Sequence, residues 1–237
     1  MESFLLLGFL VGMGHALEAD HLAAVGAMAA DGGGRRRLAL RGAVWGLGHT
    51  ITLFAICSAV ILFSVVLSPQ RAAALEFAVG VMLVLLAADL LIKMWRKKVH
   101  FHAHDHGKGS RHIHAHSHSK AVVSHRSDLH GHAHAARFPV RALLVGLMHG
   151  AAGSAGMIAL ALATTQQPLL ALGYVLIFGL GSLAGMAALS VMAAWPLGLM
   201  ERAAGWVHSA AKLAIAGLAG GIGLSIMVET WALAGVH

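Results

Sequence analysis

The sequence predicts an all-α polytopic membrane protein: six transmembrane helices arranged as a 3+3 inverted repeat. Three observations carry that reading. Of its 237 residues, 58% are hydrophobic and 11% charged, with a mean hydropathy of +0.75, whereas a soluble domain carries charge on roughly a quarter of its residues. The apolar residues fall into continuous runs of membrane-crossing length, not the alternating pattern of a β-barrel. Finally, Lys and Arg collect in alternate connections between these runs.

The six runs lie at 4–30, 42–67, 72–94, 141–164, 169–194 and 211–235. The first is the least regular, because its second half holds His15, Glu18, Asp20 and His21. The N-terminus does not read as a signal peptide: Glu2 is its only early charge and no basic region precedes the apolar run. The first connection holds Arg35, Arg36, Arg37 and Arg41, and the third, with its flanks, holds ten basic residues from Lys93 to Arg141. The fifth holds Arg202 and Lys212, and only Arg71 falls on the opposite side. Basic connections stay cytoplasmic, so both termini are expected outside in an inner (plasma) membrane protein. The net charge of +7 is then an orientation signal, and nucleic acid is not expected as a partner. Cys57, the single cysteine, leaves no disulfide framework and no cysteine-built zinc finger. The chain divides into a first three-helix repeat (1–95), a cytoplasmic His-rich disordered loop (96–140) and a second three-helix repeat (141–237).

The repeat rests on two matches in order. A shift of 134 residues aligns Leu10-Val11-Gly12-Met13-Gly14-His15 with Leu144-Val145-Gly146-Leu147-Met148-His149. A shift of 133 aligns Gly46-Leu47-Gly48-His49 with Gly179-Leu180-Gly181-Ser182. Three spans per half is an odd number, so the halves oppose each other in orientation. Many transporters follow this plan and hold their site at the repeat interface.

Ionisable groups within a span cost about 2.5–3.5 kcal/mol each on the insertion scale, so the four in Gly14-His15-Ala16-Leu17-Glu18-Ala19-Asp20-His21 need compensation. A bound first-row divalent metal suits imidazole and carboxylate together. A proton relay and a buried structural network are the other readings. On a straight helix, His15, Glu18 and His21 step by about 60° and form a stripe, while Asp20 lies about 100° from His21. Either Asp20 orients a histidine from outside the ligand set, or the helix breaks after Gly12 and Gly14. His49 of the second span and His149 of the fourth lie about eight residues from the inner ends of their spans, which matches the depth of His21. Asp89 has Lys93 four residues later, the spacing of a local ion pair.

Twelve of the 18 histidines lie between 100 and 134: His100, His102, His104, His106, His112, His114, His116, His118, His125, His130, His132 and His134. Such a tract reads as auxiliary metal binding without fixed geometry, or as a solubilising spacer. Its composition cannot bury a core.

The motif His15-Ala16-Leu17-Glu18-Ala19-Asp20-His21 resembles the signature of the nickel/cobalt permeases: a histidine, four residues, then Asp-His. Leu47-Gly48-His49-Thr50 is similar to that superfamily's second motif, and Leu147-Met148-His149-Gly150-Ala151-Ala152-Gly153-Ser154-Ala155 resembles its UreH-like branch. The chain is therefore identified as similar to NicO/UreH-type members. The resemblance implies that His15, Asp20, His21 and His49 belong to a nickel recognition site in a helical membrane transporter. Glu18 stands where other permeases have Asp, and a His-rich loop also resembles the related efflux proteins, so import and export both stay open. The expected function is transport of Ni2+ and/or Co2+ past His15, Glu18, Asp20, His21, His49 and His149, with the ion as substrate, no organic cofactor and no enzymatic activity. The expected partners are the bilayer, the ion and cytoplasmic metallochaperones. Transport of another metal, a membrane metallochaperone and an intramembrane metalloenzyme are the alternatives.

Overall fold

The computed structural model describes residues 2–30, 34–96, 100–105, 111–116, 139–154, 156–158, 161, 167–202 and 205–234. Its helices are α1 (Glu2–His15), α2 (Ala19–Ala29), α3 (Arg35–Phe63), α4 (Pro69–Arg96), α5 (Val140–Ala152), α6 (Pro168–Arg202) and α7 (Gly205–Ala234). Among the described residues, four segments are long and apolar enough to cross a membrane: Arg35–Phe63, Pro69–Arg96, Pro168–Ala193 and Trp206–Ala234. Proline opens α4 and α6, where its missing N–H removes no helical bond. Ser64 ends α3 in the left-handed region at φ 52°. Large apolar side chains stand fully outward, among them Trp206 and Val228 at 74% and 76% exposure. Water would penalise such a surface and hydrocarbon accommodates it.

The expected first and fourth spans both depart from continuous helices, the first more sharply than the fourth. The first is two helices: Leu17 N–H bonds the Gly14 carbonyl and Glu18 N–H the His15 carbonyl in a tightened turn, and α2 restarts at Ala19 behind an extended Glu18. The fourth stops as α5 at Ala152, turns at Gly153 and resumes helical backbone at 154. Each break falls at or just after the histidine of the aligned motif, His15 or His149. Polar groups there gain more from converging side chains than from an unbroken helix in an apolar setting.

α3 is the central element, packing chiefly against α6 and α5, while α1 lies on α6 and α2 on α7 and α6. Trp45 of α3 is fully buried in a core with Ala24, Leu83, Val145 and Met186. Glycines let the backbones meet. Gly12 of α1 abuts the Phe178 carbonyl of α6, and Gly146 of α5 abuts the Trp45 carbonyl of α3. Gly46 meets Leu183 and Gly179 meets Thr50; Gly48 meets Leu143 and Leu147, and Gly181 meets Phe9. Asp89 of α4 accepts a 2.7 Å hydrogen bond from Arg141 of α5, a tertiary ion pair in addition to the local spacing to Lys93.

Residues Ile92–Arg137 form a separate compact unit. Within it β1 (His100–Asp105) pairs antiparallel with β2 (Arg111–His116). Its register sets His100 opposite His116, His102 opposite His114 and His104 opposite His112. Histidine at alternate positions is itself a period-two strand pattern. His106, His118, His125, His130, His132 and His134 lie outside the described residues.

Candidate metal site at the helix break

The break in the first segment decides how its polar residues meet. Asp20 sits in the first turn of α2, where a helix N-terminus favours negative charge. One oxygen, Oδ1, accepts from the backbone N–H of His21 at 2.8 Å and from His21 Nδ1 at 2.9 Å. Its other oxygen, Oδ2, accepts from His149 Nε2 at 2.9 Å, joining α2 to α5. The straight-helix arithmetic placed Asp20 off the histidine stripe; the new axis after Glu18 brings it back as a clamp between two imidazoles.

These bonds set the tautomers. With Nδ1–H given to Asp20, His21 keeps Nε2 as its lone-pair nitrogen; with Nε2–H given, His149 keeps Nδ1. His15 gives Nδ1–H to Glu18 Oε1 at 2.7 Å, which leaves its Nε2 edge toward Gly153, the break in the second segment. His49 is fully buried, and neither of its nitrogens has a hydrogen-bond partner among the described residues; the same is true of His21 Nε2 and His149 Nδ1. A buried polar atom left unmatched costs about 1–3 kcal/mol; neutral His49 keeps one lone pair, so three lone-pair nitrogens in one cluster suit a bound cation.

The rings lie close together. His21 is 4.5 Å from His15, 5.4 Å from His49 and 4.1 Å from His149, centroid to centroid, and His15 is 5.3 Å from His49. Trp45 borders His21 and His149 at 5.5 and 5.8 Å, and Phe178 borders His15 at 5.2 Å. Donor atoms of His15, His21 and His49 all fall within 4.8 Å of one another, as do those of Asp20, His21 and His149. His21 belongs to both groups.

Thr50 fixes the register of His49. Its hydroxyl donates to the Gly46 carbonyl at 2.8 Å and also lies 2.9 Å from the Gly179 carbonyl of α6. Glu18 stands apart from the other sequence-expected residues: its side chain is 56% exposed, and among the described residues it reaches the cluster through His15. Sequence reasoning missed the aromatic walls, Trp45 and Phe178. The shift of 133 residues that pairs these two positions was the available signal.

The chain is 32% identical over 206 residues to the urease accessory protein UreH of Bacillus sp. (strain TB-90), a match covering 84% of this chain and 80% of the relative. The chain belongs to the UreH-like family of the nickel/cobalt transporter superfamily. No family model matches it, and no solved structure matches it. The long apolar helices and this membership together make it a multi-pass membrane protein.

In this UreH-family protein, Asp20 and Glu18 are expected to differ sharply on substitution. Asp20→Asn removes the acceptor that orients His21 and His149, and loss of such a supporting carboxylate typically costs 10–100-fold in metal affinity. Glu18→Gln leaves an exposed partner of His15 that water can replace, and is expected to change affinity only a few-fold. Isothermal titration of the two purified variants with Ni2+ checks the order.

Proposed function

We propose that this protein carries divalent transition-metal ions, Ni2+ and/or Co2+, across the membrane, with the ion held between the first and second segments by His15, His21 and His49. The observation that carries the reading is the group of three imidazoles within 4.8 Å reach of one another, with unmatched nitrogens on His21 and His49, beside a helix break in a membrane body. Imidazole nitrogen suits borderline divalent metals. Asp20 offsets part of the ion's charge, which lowers the cost of placing it away from water. His149 completes the support from the other half of the chain, and the family membership agrees with metal transport as the activity.

Counting the two broken segments with the four long helices makes six crossings. The inverted-repeat reading draws support from the glycine contacts. Moving an α1 position by 134 into α5, and an α3 position by 133 into α6, turns Gly12–Phe178 into Gly146–Trp45. The same operation turns Gly46–Leu183 into Gly179–Thr50 and Gly48–Leu143 into Gly181–Phe9. Two breaks facing each other across such a relation suit alternating access around a central ion. The distribution of Lys and Arg supports a cytoplasmic His-rich loop, where it would buffer the ion or hand it to a metallochaperone.

The test is flux into sealed proteoliposomes containing a metal-sensitive dye, with Ni2+, Co2+, Zn2+ and Mn2+ offered separately. Uptake of Ni2+ or Co2+ above protein-free vesicles is expected; folded protein that binds but never moves any of the four would replace the transporter with a metallochaperone. Deleting 100–136, inside the separate unit, is expected to leave more than half of the flux. A chain that loses transport on this deletion would place the loop on the ion's path.

A further inference from the structure

The three imidazoles leave a divalent ion short of the five or six ligands that Ni2+ and Co2+ accept, and the second half of the chain holds a candidate for the missing oxygen. Ser182 of α6 is fully buried, and its Oγ has no hydrogen-bond partner among the described residues. Three other buried helical hydroxyls bond back to the carbonyl four residues earlier, Thr50 to Gly46, Ser190 to Met186 and Thr230 to Ile226, while Ser58 Oγ of α3, like that of Ser182, has no partner among the described residues. For Ser182 that carbonyl belongs to Phe178, and Gly12 packs directly against it. Ser190 bonds the Met186 carbonyl although Gly42 packs beside it, whereas the Ser182 hydroxyl is left without a partner among the described residues and is free to face a cation.

Its place in the fold points to the ion. On α6, Phe178 and Gly185 lie within about 40° and 60° of Ser182 around the axis. The Phe178 ring touches His15, and Gly185 packs against Met13 and Ala16. Ser182 thus lies on the α6 face turned toward the end of α1, where His15 sits, and its backbone nitrogen borders Gly12. The repeat offset maps Ser182 onto His49 and Phe178 onto Trp45. The contacts follow the same mapping, since Trp45 borders His149 as Phe178 borders His15.

We propose that Ser182 supplies an oxygen ligand to the transported ion from the second half of the chain, opposite the nitrogen ligand that His49 supplies from the first. The inference rests on the ion site proposed above. A neutral hydroxyl raises the coordination number without adding charge, so it binds weakly and releases readily. It also favours metals that accept five or six ligands over Zn2+, whose protein sites are mostly tetrahedral.

The experiment is Co2+ titration of the purified full-length protein in detergent, followed by visible and near-ultraviolet absorption. Wild type is expected to show the ligand-field bands of bound Co2+. Ser182→Cys is expected to add a thiolate-to-cobalt charge-transfer band absent from wild type, which carries only Cys57. Ser182→Ala is expected to strengthen the ligand-field bands as the coordination number falls, and to shift the Co2+/Zn2+ preference about tenfold toward Zn2+. Both substitutions are small enough for a Ser site, so a folded apoprotein is expected from each. Wild type that binds Co2+, with no new band in Ser182→Cys and an unaltered spectrum in Ser182→Ala, overturns the assignment of Ser182 and leaves the histidine site standing. Wild type that binds no Co2+ overturns the histidine site and this inference with it.

Discussion

Replacing His49 by alanine is expected to abolish Ni2+ and Co2+ flux while leaving a folded protein. His49 is fully buried and neither nitrogen has a hydrogen-bond partner among the described residues, so its removal strands no partner among them. The lost packing is offset in part by the removal of two unmatched polar atoms, and the metal-free protein should stay within about 2 kcal/mol of wild type. Metal binding is another matter. If the dissociation constant rises about 100-fold, a metal concentration that stabilises wild type by about 2.7 kcal/mol stabilises the variant by only about 0.4 kcal/mol. Thermal unfolding with and without Ni2+ reads this directly. A variant whose melting temperature still climbs with Ni2+ as wild type does would remove His49 from the site. His21→Ala should lose binding as well, but with a larger loss of apoprotein stability, because Asp20 then loses one of its two imidazole donors.

Gly150→Val is expected to fail one step earlier, at folding. A Cβ at Gly150 would collide with the His49 carbonyl oxygen and approach its Cα and carbonyl carbon at 2.9 Å. All three are backbone atoms, so neither rotamer change nor side-chain movement relieves the clash. Overpacking costs of about 1–3 kcal/mol apply where side chains can shift, and this position should reach or exceed the upper figure. The measurements are the yield of monodisperse protein in detergent and its melting temperature without metal. Gly14→Ala is the control: among the described residues, beyond its own helix, nothing lies within 4 Å of its Cβ position, and its stability should change by no more than about 0.5 kcal/mol. The two variants at the His49 level then separate the roles of this locus. Gly150→Val loses the fold, and His49→Ala loses only the ligand.

The architecture was legible wherever composition carries it. Four of the expected spans are continuous helices, and their ends fall near the prolines and basic residues that mark them in the chain. The first and fourth spans were legible as apolar runs but not as broken helices, although Gly12-Met13-Gly14 before His15 and Gly153 after His149 were visible signals. The helical-wheel argument assumes one straight axis, so it could separate Asp20 from His21 but could not reunite them. Their meeting with His149 spans 129 residues, and no local pattern reports such a contact. The pairing of Asp89 with Arg141 across helices was hidden for the same reason: the nearest basic residue in sequence, Lys93, was the only partner that local spacing could suggest. Glu18 looked like a ligand because it shared the stripe, yet the turn at 16–18 leaves it largely exposed. In the loop, composition argued against a buried core. It did not argue against backbone pairing, and alternate histidines sit comfortably in a strand.

Determined by sequence alone are the membrane class, the four continuous apolar helices and the residue types concentrated at costly positions, because solvation energy depends mainly on which side chain stands at which depth. Tertiary structure decided which of those groups meet. Turning the chain at Leu17 and Glu18, and letting glycines bring α1, α3, α5 and α6 to backbone contact, places His15, His21 and His49 around one point and leaves Asp20 to hold His21 and His149 in fixed tautomers. Solvation puts polar groups under pressure to pair; only the packed backbones fix the partners.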